Sequence, residues 1–156
     1  MLTQSSQGFL ESARPDQPLK SRDFPRSEKN SARPRILVVD EESLVRWSLA
    51  ETLRAAGCAV TEAADGESAI RTLSSHADGI DAVLLDLCMP DSSGLRTLKT
   101  LRQRSPAIPV VLMAADGTPE LQEEALRLGA FAVINKPFDV NAVPELIERA
   151  LAARPD

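Results

Sequence analysis

The chain has 156 residues, of which 43% are hydrophobic and 26% charged, so its composition suits one domain with a real core and some additional sequence outside it. It contains no tyrosine, one tryptophan and four phenylalanines, which argues against the aromatic platforms that bind single-stranded nucleic acid. The net charge is −5, and residues 35–156 carry −7 because residues 1–34 hold six Lys or Arg against four Asp or Glu. A domain this acidic is repelled by a phosphate backbone, so no direct nucleic-acid binding is expected.

The cysteine and histidine content disfavours a disulfide framework and a zinc site. Cys58 and Cys88 lie 30 residues apart without a CxxC or Cys/His spacing, and His76 is the only histidine. No apolar run approaches the roughly 18 residues that span a bilayer, and the N-terminus lacks the basic-then-apolar order of a secretory signal. We therefore expect a cytoplasmic protein that does not associate with membranes.

Residues 1–34 are predicted to form a disordered arm. They carry four of the eleven prolines, mixed charges and only isolated apolar residues, so they cannot bury enough surface to offset the entropy of the chain. A solvated tail and a segment that folds on a partner both fit this composition.

From residue 35 onward, short apolar runs alternate with helical periods. Residues 35–39 form a β-branched run that ends in an acid, and the next segment places Val45, Leu49 and Leu53 on one helical face before Gly57 stops the helix. This strand-then-helix pattern occurs five times. The predicted elements, in chain order, are strand 35–39, helix 43–56, strand 58–63, helix 66–77, strand 81–87, helix 94–104, strand 110–114, helix 120–128, strand 130–134 and a helix over about 143–153.

Five strand–helix units in alternation predict an α/β fold of parallel strands with helices on both faces of the sheet. Ligands of such a doubly wound sheet bind beyond the carboxyl ends of the strands. The charged residues at these ends are Asp40 and Glu41 after the first strand, Asp86 at the third and Lys136 after the fifth.

Acids gathered at one crevice indicate a particular chemistry. Carboxylates packed together repel each other unless a cation neutralises them, and oxygen ligands of this kind select a hard ion, Mg²⁺ above all. A carboxylate that lies beside Mg²⁺ and an ammonium group is suited to act as a nucleophile toward a phosphoryl group.

Three motifs carry a resemblance to a known family: ILVVDEE at 36–42, LLDLCMP at 84–90 with Gly94, and KPF at 136–138. Together they resemble the receiver domain of two-component response regulators over residues 35–154, which leaves 155–156 as a short tail. The resemblance implies a flavodoxin-like fold, a five-stranded parallel sheet of order 2-1-3-4-5 with five helices on two faces. It also implies a signalling domain, rather than a turnover enzyme, that accepts a phosphoryl group from a histidine kinase or phosphotransfer protein in a Mg²⁺-dependent reaction.

The same resemblance implies the roles of individual residues. Asp86 is the expected phospho-acceptor and Lys136 the expected counter-ion of the phosphate. Asp40 and Glu41 are the expected acidic pair, and Glu41 is one methylene longer than the Asp usual at its place. Together with Asp86 and the backbone carbonyl of Cys88 they are expected to bind the metal. The peptide bond that follows Lys136 is typically cis in the family, a geometry that its proline makes accessible.

The first helix gives a further likeness and two local interpretations. Its Val45-Arg46-Trp47 sequence is similar to receivers of nitrogen-regulatory type. Trp47 is interpreted as a core or groove residue. Glu42 is interpreted only as a favourable charge near the N-terminus of this helix. Both a stand-alone regulator and a piece of a longer one fit the sequence.

The chain departs from the family at the switch positions. The family usually has Thr or Ser at the end of strand 4 and an aromatic residue on strand 5, where this chain has Ala114 and Val133. Ala114 offers no hydroxyl and Val133 no ring; Phe131 shares that strand face but not the matching position. Cys88 and Asp116 match positions that influence how water reaches the acyl phosphate.

Several functions remain open or disfavoured at this point. A receiver with a weakened switch and a receiver-like protein-interaction module that phosphorylation does not regulate both fit the departures. An aspartyl-phosphate phosphohydrolase is disfavoured because its usual Asp-x-Asp spacing is missing after the first strand. A flavin or nucleotide carrier is disfavoured because no GxGxxG follows that strand. A homodimer through the helix 4–strand 5–helix 5 face is a further expectation.

Overall fold

The computed structural model describes residues 33–75, 79–89, 94–115 and 119–154. Its centre is one sheet of five parallel strands in the order β2-β1-β3-β4-β5. The strands are β1 (Arg35–Val39), β2 (Ala59–Ala63), β3 (Ala82–Asp86), β4 (Val110–Ala114) and β5 (Ala132–Asn135). The predicted order 2-1-3-4-5 is therefore confirmed.

The register of the strands places their carboxyl ends side by side. Val39 at the end of β1 pairs with Ala63 on one side and Leu85 on the other. On the far side of the sheet, Ala114 pairs with Asn135. Residues that end or follow β1, β3, β4 and β5 consequently meet at one edge of the sheet, which is where such folds bind ligands.

Within the described residues, five α-helices connect and cover the strands. They are α1 (Ser43–Ala55), α2 (Gly66–Ser75), α3 (Gly94–Arg104), α4 (Pro119–Arg127) and α5 (Val143–Ala152), the last preceded by a short 3-10 turn, Val140–Ala142. Because side chains alternate along a strand, the three central strands β1, β3 and β4 bury apolar residues on both faces. Leu49 of α1 and Ile147 of α5 pack with Ile36 and Val38 on one face. Leu73 of α2 and Leu98 of α3 pack with the opposite face.

The bounds of several elements differ from their predictions, most of them by one residue. The fifth strand begins at Ala132 rather than at residue 130, because Gly129 adopts a positive φ of 106° and the chain is still turning at Phe131. The third strand is one residue shorter at each end than predicted. Three predictions concern residues outside the described ranges: the end of the second helix at residue 77, residues 1–32 of the predicted arm 1–34, and the tail 155–156.

Trp47 was interpreted as a core or groove residue, and the core alternative is wrong, since the residue is 59% exposed. The buried face of α1 runs through Leu49, Ala50 and Leu53. Trp47 lies two residues before Leu49, about 200° around the helix axis, and therefore points away from the sheet.

Candidate functional site

Three charged residues converge at the carboxyl edge of the sheet. Asp40 follows β1 and is completely buried, Asp86 ends β3 and is almost completely buried, and Lys136 follows β5 and is partly buried. The backbone N–H of Lys136 donates to the carbonyl oxygen of Ala114 at 2.7 Å, so the β4–β5 hydrogen bonding continues up to the lysine. The lysine is thus held by regular sheet structure and not by a free loop.

Lys136 bridges the two buried acids. Its Nζ lies 3.2 Å from Oδ2 of Asp40 and 3.3 Å from Oδ2 of Asp86. A third acid, Glu42, lies at the edge of this cluster with its Oε1 4.0 Å from the same Nζ. The convergence of Asp40, Asp86 and Lys136 follows the expectation that was based on their positions at strand ends.

Each buried acid also accepts a hydrogen bond from the loop that follows it. Oδ1 of Asp40 accepts the backbone N–H of Glu42 at 2.9 Å, and Oδ1 of Asp86 accepts the backbone N–H of Cys88 at 3.0 Å. Both bonds join residue i to residue i+2, the local turn that aspartate favours. The strand-end position and this turn together fix the direction of the two carboxylates.

Burial and the neighbouring charges together shift the pKa values of Asp86 and Lys136. Burial raises the pKa of the Asp86 carboxyl and Asp40 raises it further, although the N–H of Cys88 and the ammonium group of Lys136 oppose the rise. For Lys136, burial alone would lower the pKa, but the two carboxylates outweigh it, so the pKa is raised. Two carboxylates facing one ammonium group leave the crevice with an excess of negative charge that a cation would relieve.

The donor chemistry of the crevice fits Mg²⁺. Mg²⁺ binds through one or two carboxylates and keeps several waters, and Asp40 and Asp86 supply two buried carboxylates. Within the described ranges, no group of three or more His, Cys, Asp and Glu side chains is arranged to bind a metal. Glu41 is exposed, and its role as a metal ligand stays a prediction, as does that of the Cys88 carbonyl.

The remaining candidate residues surround the crevice. Ala114 is completely buried at the end of β4, and Val133 is half-buried on β5. Cys88 is exposed, and its Sγ accepts the backbone N–H of Ala115 at 3.5 Å. Asp116 lies outside the described residues.

A groove of about 560 Å³ opens beside Lys136, between the start of α1 and the loop after β5. Its lining is mostly apolar: Leu44, Val45, Ser48, Ala115, Lys136, Pro137, Phe138 and Val140. Leu44, at the edge of this groove, is 79% exposed. The Lys136–Pro137 peptide bond within this loop is cis, as the resemblance implied.

The sequence interpretation missed two contacts of the site. Glu42 was assigned only to the N-terminus of α1, yet its side chain lies at the lysine and caps no helical N–H. Arg46 was given no role, although its Nη1 donates to the carbonyl oxygen of Asp40 at 2.6 Å. For Glu42, the run of three acids after β1 was the available signal. Long side chains such as Arg46 reach so many neighbours that sequence alone does not identify the one they bind.

None of the helices within the described ranges combines the length and the apolar character that crossing a bilayer requires.

Comparison with known proteins gives the same family throughout. The family model described as the response regulator receiver domain matches residues 36–148. The transcriptional regulator NtrC of Escherichia coli K12 is 36% identical over 117 residues, which are 75% of this chain and 24% of NtrC. The regulatory protein AtoC of the same strain is 37% identical over 118 residues, 75% of this chain and 25% of AtoC. The chain thus spans about a quarter of the length of these two relatives.

A solved structure shows the same fold at full domain length. The receiver domain of NtrX from Brucella abortus superposes with a TM-score of 0.71 at 33% identity, and the match covers 76% of this chain and 98% of that one. The chain therefore belongs to the family of response regulator receiver domains of two-component systems, as its five-stranded parallel sheet, the motifs at the carboxyl edge of that sheet and these matches agree in showing.

Proposed function

We propose that this receiver domain accepts a phosphoryl group on Asp86 from the phosphohistidine of a histidine kinase or phosphotransfer protein. The observation that supports this most directly is the bridge of Lys136 between two buried carboxylates at the carboxyl edge of the sheet, with both N–O distances at 3.3 Å or less. An arrangement that served only to stabilise the fold would gain more from apolar side chains of the same size.

The proposed transfer is a simple displacement at phosphorus. A carboxylate oxygen of Asp86 forms a bond to phosphorus while the P–N bond of the donor phosphohistidine breaks, and the electron pair of that bond leaves on the imidazole nitrogen. Lys136 stands within hydrogen-bond reach of Asp86 and stabilises the charge on the incoming phosphate oxygens. One transfer leaves the chain modified, so the domain acts as a signalling acceptor rather than as a turnover enzyme.

In this proposal Asp40, Glu41, Asp86 and the carbonyl oxygen of Cys88 hold Mg²⁺. When bound, the ion supplies charge neutralisation for the phosphate and for the crowded carboxylates. Asp40 and Asp86 contribute by being fixed in direction before the ion arrives, through Lys136 and through the backbone hydrogen bonds of their own loops.

The proposed setting and partners follow from the family and from the surface. We place the domain in the cytoplasm, with a histidine kinase or phosphotransfer protein as donor and no direct nucleic-acid contact. The apolar groove and the exposed Leu44 lie beside Lys136, where a protein donor must approach. A homodimer through α4, β5 and α5 is proposed as well, for which Leu126 and Phe131 are the exposed large apolar residues nearby.

A receiver-like interaction module that phosphorylation does not regulate is the second candidate. Ala114 and Val133 favour it, because a hydroxyl that moves onto the phosphoryl group and a ring that follows it are the usual contacts that differ between the two states. This candidate keeps the fold and leaves the acidic crevice unused.

The deciding experiment is intact mass, together with mobility on a phosphate-affinity gel, after incubation with acetyl phosphate in the presence of Mg²⁺ or of EDTA. We expect one phosphoryl adduct that requires Mg²⁺ and disappears in Asp86→Asn. The matched control is Asp65→Asn, which changes an exposed aspartate whose hydrogen bond to the Ser68 N–H an amide oxygen can retain. No adduct under either condition, or with a histidine kinase as donor, would leave the interaction module as the function.

A further inference from the structure

Arg46 joins the carboxyl ends of two strands behind the acidic crevice. It lies in the first turn of α1, with Nη1 2.6 Å from the carbonyl oxygen of Asp40 and Nε 3.1 Å from Oε1 of Glu62 on β2. Its side chain is only 19% exposed. The guanidinium group therefore contacts the main chain of Asp40 and not its carboxylate.

This contact completes the fixation of the Asp40 backbone. The N–H of Asp40 donates to the carbonyl oxygen of Ala63 at 3.2 Å, and its carbonyl oxygen accepts from Arg46. Because the peptide unit after Asp40 is planar, the orientation of that carbonyl also sets the N–H and the Cα position of Glu41. The guanidinium group thus adds to the strand pairing and the local turn in fixing the direction in which the acidic pair leaves the strand.

The charge of Arg46 is compensated away from the crevice. Glu62 pairs with it at 3.1 Å, and Arg54 also reaches Glu62, at 3.6 Å. The carboxylate of Glu62 neutralises the guanidinium group. Arg46 therefore holds the main chain of Asp40 without acting as a counter-ion of the Asp40 carboxylate.

We propose that Arg46 is a positioning residue for the acidic pair and sets the affinity of the crevice for a divalent cation. The inference rests on the proposed function, in which Asp40 and Glu41 hold Mg²⁺. Loss of partners that orient metal ligands typically costs about 10- to 100-fold in metal affinity. Removing Arg46 should act in this way although no metal ligand is removed.

The test measures Mg²⁺ binding by amide chemical shifts and, separately, the Mg²⁺ dependence of phosphorylation by acetyl phosphate. For Arg46→Met we expect the Kd for Mg²⁺ and the half-maximal Mg²⁺ concentration both to rise about tenfold, while the rate at saturating Mg²⁺ stays near that of the wild type. For Arg46→Lys, which keeps one donor group, both values should lie between those of the wild type and those of Arg46→Met. Arg54→Met is the matched control, because Arg54 contacts Glu62 but makes no described contact with Asp40, and it should bind Mg²⁺ as the wild type does.

The outcomes separate this inference from the proposed function. Equal Kd values for Arg46→Met and Arg54→Met would overturn the role of Arg46 and leave the phospho-acceptor intact. A lower rate that saturating Mg²⁺ does not restore would also overturn it, since a general loss of structure gives that pattern. A wild type that binds no Mg²⁺ would overturn both. If circular dichroism shows that Arg46→Met is unfolded, Arg46→Lys decides, with a Kd at least about twofold above wild type expected.

Discussion

Asp86 is a buried acid whose protonation is coupled to folding. Burial, with Asp40 nearby, raises the pKa of its carboxyl above the ordinary 3.8, so the folded protein protonates Asp86 more readily than the unfolded chain does. Between that ordinary value and the raised one, the folded state holds the extra proton, and stability therefore falls as pH rises through this window. Asp86→Asn removes the ionisable group and leaves Lys136 paired with Asp40, so we expect it to raise the free energy of unfolding at about pH 7 in EDTA.

Urea unfolding between about pH 4 and about pH 8 checks this expectation. The difference in free energy of unfolding between Asp86→Asn and the wild type should shrink as the pH is lowered toward the ordinary pKa, because the wild-type carboxyl becomes neutral in the folded state. Glu123→Gln, at an exposed position of α4, serves as the surface control. A wild type as stable as Asp86→Asn at neutral pH would show that Lys136 fully compensates the buried charge.

The two cysteines differ in their surroundings and should differ in reactivity. Burial raises the pKa of Cys58 to about 12, whereas Cys88 is exposed beside the crevice. Because the thiolate is the reactive form, a disulfide reagent at about pH 8 should modify one thiol in the native protein and both in guanidinium chloride. Cys88→Ala should abolish the modification of the native protein, and Cys58→Ala should preserve it. Two fast thiols in the native state would mean that the core around Cys58 opens readily.

At the scale of the elements, Gly94 fixes how α3 leaves the loop after β3. A Cβ at this position would lie 2.1 Å from the carbonyl oxygen of Leu87, and its other nearest neighbours are also backbone atoms of Leu87 that cannot move cheaply. We expect Gly94→Ala to lower the free energy of unfolding by about 1–3 kcal/mol, as overpacking does, despite the better helix propensity of alanine. Urea unfolding measures the change.

The control for Gly94→Ala lies on the same helix. Lys99 is an exposed residue of α3, and Lys99→Ala should change the stability by no more than about 0.5 kcal/mol. If Gly94→Ala is as stable as Lys99→Ala, the start of α3 can shift away from Leu87.

The elements could be predicted from the sequence because each carries a local pattern. Apolar runs gave the strands, helical periods gave the helices, and the rule for carboxyl ends brought Asp40, Asp86 and Lys136 together. The start of β5 was missed because the positive φ of Gly129 prolongs the turn beyond what apolar character indicates. The core alternative for Trp47 did not take account of the helical phase of Leu49 and Leu53, which determines the buried face.

On the scale of the whole molecule, the proposed phosphorylation of Asp86 would have to act on the surface of α4 and β5 through β4, which lies between β3 and β5 in the sheet. Ala114 occupies that position, completely buried, with its carbonyl oxygen already bonded to the N–H of Lys136. A methyl group makes the same contacts whether or not Asp86 carries a phosphoryl group, so it contributes no difference in free energy between two conformations. In the wild type we therefore expect beryllofluoride, a phosphoryl analogue, to shift amide resonances only around Asp86 and Lys136.

Ala114→Thr should change this behaviour, because a hydroxyl that can bond the phosphoryl oxygens restores a contact made in one state only. Amide shifts on beryllofluoride binding should then extend along β4 and β5 to α4. Ala114→Val is the matched control, since valine has nearly the volume of threonine but no hydroxyl, and its shifts should stay local. Widespread amide shifts in the wild type would mean that a residue other than Ala114 couples Asp86 to α4 and β5. Amide shifts that extend equally far in Ala114→Thr and Ala114→Val would assign the effect to side-chain volume instead of the hydroxyl.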